Sequence, residues 1–356
     1  MKSALEIRRG ILFGLLAIVV VVLFAFDLAS GSVGVGGREV WALLTGGPCD
    51  PMARDIILKI RLIKAVVAVL AGFSLAASGL LMQTLFRNPL AGPFVLGISS
   101  GASLGVALFL LGAPLLGIAG HSLLASVGTA GAAWIGSALI LLLIMAVSRR
   151  IKDIMVILIL GMMFGSAVGA LVEILQYMSN EAALKSFVVW TMGSLGDVTI
   201  PQLTLLVPAV AVGTGLTFAV LKPLNLLLLG ERYARTMGLN VGRTRTLIFL
   251  ATTLLSGTVT AFCGPIGFVG LAVPHLARML FASADHRLLM PASMLLGAAM
   301  LLVCDLCSKQ LALPVNTLTA LMGIPIVVWR SEERRVGNEC RYRWSRYHEK
   351  KKRRDK

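Results

Sequence analysis

The sequence predicts an all-α integral membrane protein of about ten transmembrane helices, on two observations. The 356 residues are 57% hydrophobic and only 14% charged, with a mean hydropathy of +0.87. That composition leaves too little polar surface for a soluble globule. Apolar stretches near the ~20 residues needed to cross a bilayer also recur along the whole chain. Their recurrence excludes a signal peptide followed by a soluble body and leaves no room for a separate soluble domain.

The predicted spans are residues 10–30, 62–85, 93–112, 122–147, 154–178, 201–221, 246–263, 266–282, 288–310 and 313–329. Around Cys263-Gly264-Pro265 the pattern reads either as two spans joined by a tight turn or as one long broken span. Loop charge sets the orientation. Lys2, Arg8 and Arg9 place the N-terminus inside, and the alternate loops that follow carry Arg87, then Arg149, Arg150 and Lys152, then Lys222 to Arg245, then Arg278 to Arg287. One outer segment breaks the rule with Arg54, Lys59, Arg61 and Lys64.

The net charge of +16 does not describe a nucleic-acid binder. The cations sit in short clusters between apolar segments, and no basic stripe runs along one element. Residues 330–356 alone hold 12 Lys and Arg against 5 Asp and Glu. This charged tail lacks an apolar period and reads as non-native sequence or as a disordered basic tail, separate from a ten-helix transmembrane domain over 1–329. Among the five cysteines only Cys304 and Cys307 form a C-x-x-C, inside an apolar helical run where helix packing is its reading. No cofactor or metal set is expected, and no G-x-x-x-x-G-K-[ST] phosphate loop is present.

Three segments carry more than span chemistry. Leu226–Arg245, LLLLGERYARTMGLNVGRTR, is too polar to cross and too long for a simple turn. Glu231 to Met237 suits a short helix ended by Gly238, with Arg232 and Arg235 on one face and a smooth patch at Ala234 and Gly238. Such a helix reads as a docking element for a partner or as a solvated positive loop. In Arg87–Ser103, RNPLAGPFVLGISSGAS, Pro89 and Pro93 forbid a continuous helix, Asn88 suits a cap, and Ser99, Ser100 and Gly101 lie just inside the next span. This is a gate element or a plain connection. In Gly264–Leu280, GPIGFVGLAVPHLARML, Gly267 and Gly270 give a small face and Pro274 a kink, followed by His275 as a relay or a bonded structural group.

These segments, with the closing LPVNTLTALMGIPIVVW, resemble in order the FecCD-type permease family, over about Arg61 to Trp329. The resemblance implies the ten-helix type II fold of ATP-binding-cassette importer permeases for ferric siderophores, haem and cobalamin. It implies a dimer with a second copy or a sister subunit, two cytoplasmic ATP-binding subunits, and a periplasmic or lipid-anchored substrate-binding protein. The expected location is a prokaryotic inner membrane. ATPase coupling is implied for about 229–245, through Gly230, Glu231, Arg232, Ala234, Arg235, Gly238 and Leu239. Docking of the binding protein is implied for Arg61, Lys64 and Lys309, where Lys64 and Lys309 replace family arginines. Asn88, Pro89, Ser99, Ser100, Gly101, Glu173, Gly267, Gly270 and Pro274 are pathway or gate candidates.

Two runs of glycine at every fourth position, Gly97–Gly101–Gly105 and Gly161–Gly165–Gly169, predict close helix packing. Asp305 lies four residues before Lys309, which allows a pair on one helix face. Glu173 falls near the outer end of its span, at a pathway mouth or at the membrane surface. Ionisable groups, at about 3 kcal/mol each in mid-bilayer, are otherwise scarce there. That scarcity weighs against the alternative of a secondary carrier driven by an ion gradient.

Overall fold

The computed structural model describes residues 2–31, 37–48, 50–112, 122–151 and 153–326. The tail 330–356, the end of the last predicted span, Cys49, Lys152 and Cys340 lie outside these residues. The elements are all helical: α1 (Lys2–Ala29), α2 (Gly37–Thr45), α3 (Pro51–Leu85), α4 (Ile98–Gly112), α5 (Ser122–Arg150), α6 (Ile154–Met178), α7 (Glu181–Thr191), α8 (Ile200–Ala219), α9 (Leu221–Leu228), α10 (Glu231–Thr236), α11 (Val241–Cys263), α12 (Val269–Phe281), α13 (His286–Leu311) and α14 (Val315–Ile326). Seven of them, α1, α3, α5, α6, α8, α11 and α13, are long and apolar enough to cross a membrane, and α4, α12 and α14 are apolar but shorter. Together they fall on the ten predicted spans.

Local sequence explains the ends. Asp153, Asn180, Asn240 and Asp285 cap α6, α7, α11 and α13, each side chain accepting a backbone N–H of the first turn. Pro51, Pro93 and Pro201 stand in first turns, where the missing N–H costs nothing. The ambiguity at Cys263 resolves as two separate helices. Gly264 (φ 74°) and Phe268 (φ 63°) break the helical path between α11 and α12, and the freed Cys263 carbonyl accepts from Ser194 N at 2.8 Å. The second span starts at Pro51, earlier than the predicted residue 62, so Arg54 and Lys59 belong to its own first turns.

The buried centre is α3, packed against α13, α12, α8 and α11. Glycines set the crossings. A Cβ on Gly72 would strike the Gly297 carbonyl, and one on Gly79 would strike that of Gly270. A second group, α4 with α5 and α6, closes in the same way, since a Cβ on Gly101 would reach 2.6 Å from the Gly136 carbonyl. The predicted glycine runs are therefore packing surfaces at Gly101, Gly105 and Gly161, whereas Gly169 faces open space. One apolar core joins the two groups, from Leu81 and Phe86 through Ile140 and Leu206 to Phe249 and Met290. α6 is the opposite of α3, with most of its apolar side chains, Met162 and Met163 among them, uncovered within this chain.

Candidate functional sites at the two ends of the bundle

The chain turns at two ends. At one, α1 and α13 finish beside the start of α3. At the other, the end of α3 meets α9, the end of α12 and the start of α13, and α10 packs on α9 and α11.

The second end is built around α10. Gly230 (φ 117°) starts this six-residue helix and Gly238 (φ 83°) ends it. Both backbone conformations belong to the region where a Cβ is strained. The stop is a Schellman turn, Leu239 N to Ala234 O at 3.0 Å and Gly238 N to Arg235 O at 3.0 Å. Underneath, Ala234 is completely buried and Leu239 packs on the core. Ala234 thus seats the helix and does not form the predicted smooth outer patch. Glu231 pairs with the buried Arg245 of α11 and lies 3.6 Å from Arg235. Arg232, Tyr233, Arg235 and Met237 point outward. Beside them opens a cavity of about 830 Å³, lined by Met145, Arg235, Leu239, Asn240, Arg243 and Arg245 among others.

Three of the sequence motifs converge here. Arg87 (φ 50°) reaches the Leu227 carbonyl with Nη2 at 2.9 Å. Arg278 Nη1 donates to Gln83 Oε1, and Gln83 Nε2 donates to the Leu271 carbonyl at 3.0 Å. Asn88 caps the turn as expected, accepting from Leu90 N at 3.0 Å, and Pro89 lies against the cavity that holds His275. Asn225 binds Asp285 Oδ1 through Nδ2 at 2.6 Å. The Asp285 carboxyl is held below the usual carboxylate range, first by the Arg287 backbone N–H and then by the Asn225 amide.

At the first end the cations make contacts within the chain. Arg61 is 4% exposed, and its guanidinium donates to the Leu28 and Ala29 carbonyls at 3.0 and 3.1 Å. Lys309 Nζ lies 2.8 Å from Asp27 Oδ1 and 3.0 Å from Asp305 Oδ2, and Lys64 Nζ lies 2.9 Å from Asp305 Oδ1. Both carboxylates are fully buried. The predicted Asp305–Lys309 pair is present. Within this chain Arg61, Lys64 and Lys309 tie α1 and α3 to α13. Sequence reasoning missed Asp27, which looks like an unremarked polar residue at the end of an apolar run. Among the described residues Arg54, Lys59 and Lys185 face outward at this end, Lys59 paired with Asp55 at 2.8 Å.

The remaining candidates scatter. Ser99 Oγ is buried without a hydrogen-bond partner in the structure, and Ser100 lies against Gly165. Gly267 N donates to Asn316 Oδ1 at 2.9 Å. Gly270 is wedged against Leu75 and Pro93, and Pro274 is buried in α12. Glu173 is exposed on α6. Cys304 packs its sulfur 3.5 Å from that of Met322, in keeping with a packing role.

The FecCD transport family profile matches residues 18–331. The hemin transport system permease protein HmuU of Yersinia pestis is 37% identical, over 93% of this chain and 99% of its own length. The molybdate import system permease protein MolB of Haemophilus influenzae is 33% identical over 89% and 93%. The vitamin B12 import system permease protein BtuC of Klebsiella pneumoniae is 36% identical over 90% and 93%. Among solved structures, a transporter assigned to the metal-chelate ABC type, in an inward-facing conformation, superposes with a TM-score of 0.77 at 30% identity, covering 89% of this chain and 97% of its own.

Proposed function

This chain belongs to the FecCD transport family and is a multi-pass membrane permease of the ABC-importer type, and from that premise we propose that it carries a metal chelate or related large cofactor of the iron-siderophore, haem and cobalamin class. The observation that carries the mechanism is α10, a rigidly seated short helix whose arginines face outward. In this reading two cytoplasmic ATP-binding subunits grip α10 and the cavity beside it, through Arg232, Arg235 and the segment 229–245. ATP closes the partner dimer, the grip moves, and the helices rock between outward and inward openings. The α10 end is then cytoplasmic, as is the N-terminus, in the inner membrane of a prokaryote. The permease itself breaks no covalent bond; hydrolysis belongs to its partners.

A second permease copy or a sister subunit faces this one across the pathway, and the sparsely covered α6 suits that place. Its outward residues Ile159, Met162, Met163 and Leu171 are apolar. They favour a bulky, partly apolar chelate over an oxyanion such as molybdate, whose passage calls for cations or aligned donors. Asn88, Ser99, Ser100 and Glu173 remain the residues that gate or line this route. A substrate-binding protein docks at the opposite end, where Arg54 and Lys59 offer the outward positive charge.

The test is reconstitution in proteoliposomes with the cognate ATPase and binding protein. Uptake of haem, a ferric siderophore or cobalamin that needs ATP is the expected result. Uptake driven by an ion gradient with no ATPase present overturns the importer reading, and ATP-driven uptake of molybdate alone overturns the cargo class.

A further inference from the structure

A separate cavity of about 440 Å³ opens at the α10 end, between the close of α3, the Arg87 turn and the last turns of α12. Arg87, His275 and Arg278 line it, with Gln83, Thr84 and Met279, and no carboxylate is among the described residues of its lining. Two arginines lining one recess suit an oxyanion, whose paired oxygens match the planar donor geometry of arginine.

The neighbouring surface says which oxyanion. Leu276, Met279 and Leu280 are 37%, 48% and 40% exposed and share one outer face of α12. Arg278 belongs to the same last turns of that helix. The rim adds Leu228, 46% exposed, and Pro89. A basic recess flanked by an apolar helix face at the end of a membrane span fits one amphiphile, with a phosphate in the recess and a hydrocarbon chain along the helix. An acidic segment of a soluble partner would leave the apolar face uncovered.

The geometry points to a binding site for the phosphate of an anionic phospholipid from the leaflet at the α10 end, with Arg87 and Arg278 as its ligands and its chain lying on Leu276, Met279 and Leu280. The lipid braces the Arg87 turn, which also holds the Leu227 carbonyl before α10. Lipid composition would thereby bear on the segment proposed to meet the ATPase. Binding itself depends only on the membrane placement of α12 and not on the cargo or the motor.

Native mass spectrometry of the assembled transporter, equilibrated with equal phosphatidylglycerol and phosphatidylcholine, tests it. The expected result is preferential retention of phosphatidylglycerol, with each arginine contributing about fivefold. Arg87→Gln should reduce the preference by that factor, and Arg87→Gln with Arg278→Gln should bring it near parity. Arg87→Gln also guards the test, because it leaves the Gln83–Arg278 bond intact if the double variant fails to fold. Arg287→Gln, an exposed cation at the same end outside the cavity, should leave the preference unchanged. Parity in the unaltered protein, or an equal loss in Arg287→Gln, overturns the site. Displacement of the lipid by millimolar inorganic phosphate would reassign it to a soluble anion. Retention seen only after removing the ATPase would reassign the recess to that partner.

Discussion

The two ends of this bundle use charge in opposite ways. Around Asp27 the ionic groups turn inward, where Lys309 bridges two buried carboxylates and Arg61 binds backbone carbonyls. Around α10, among the described residues, Glu231 pairs with the buried Arg245 and lies near Arg235, while Arg232 and Arg235 face the outside. Charge at the first end holds helices to one another, and charge at the second is left for a partner. Positive residues in a loop therefore do not identify a contact surface until their own chain's acids have been located.

The sharpest way to break the contrast is to remove the bridge. Lys309→Met leaves Asp27 and Asp305 buried with too little compensation and should cost about 3–5 kcal/mol, read as a large fall in thermal unfolding temperature in detergent micelles. Adding Asp27→Asn should recover part of the loss. An unchanged unfolding temperature with failed binding-protein capture would instead return Lys309 to a docking role. At the other end, Arg232→Glu with Arg235→Glu should weaken ATPase association by about 2–3 kcal/mol through like-charge and lost-pair effects, while the unfolding temperature stays put. Pull-down with the ATPase subunits measures the first, and full ATPase retention would remove α10 from the interface.

Weaker changes sharpen the comparison. Asp285 supplies a pH-dependent effect below these in size. Its folded carboxyl is held low, so its contribution is present above the ordinary carboxylate value and is lost as pH falls through the lowered one. Asp285→Asn keeps a competent helix cap, so it should change neutral-pH stability by about 1 kcal/mol at most and flatten this part of the acid limb of an unfolding-temperature profile. Smallest of all, Lys59→Ala breaks an exposed pair with Asp55 and should shift stability by no more than about 0.5 kcal/mol. A loss comparable to that of Lys309→Met would show that the exposed and internal pairs do not differ.

The ten spans were legible because apolar length is a local property, and even the short α4, α12 and α14 kept an apolar window. The stop at Gly238 and the cap at Asn88 were legible for the same reason, since each acts on neighbours a few residues away. The fates of Arg61, Lys64 and Lys309 were not. Each is decided by a contact made across the bundle, and Lys309 meets a residue 282 positions earlier. The helices α2 and α7 were missed because short elements between spans carry weak periodicity. Asn180, followed by Glu181, was the available signal for α7. Ala234 was misjudged because a six-residue helix is too short to reveal from sequence which side it seats.

The distance between Asp27 and Lys309 has a consequence for biosynthesis. Asp27 leaves the ribosome with the first span, whereas its cation arrives with α13, after seven of the other membrane helices have been made. Until then an uncompensated acid waits near the edge of the bilayer, at a cost of up to about 3 kcal/mol if drawn to its centre. A chain truncated before α13 lacks the Lys309 partner of Asp27. Final closure of the subunit is thereby timed to nearly complete translation.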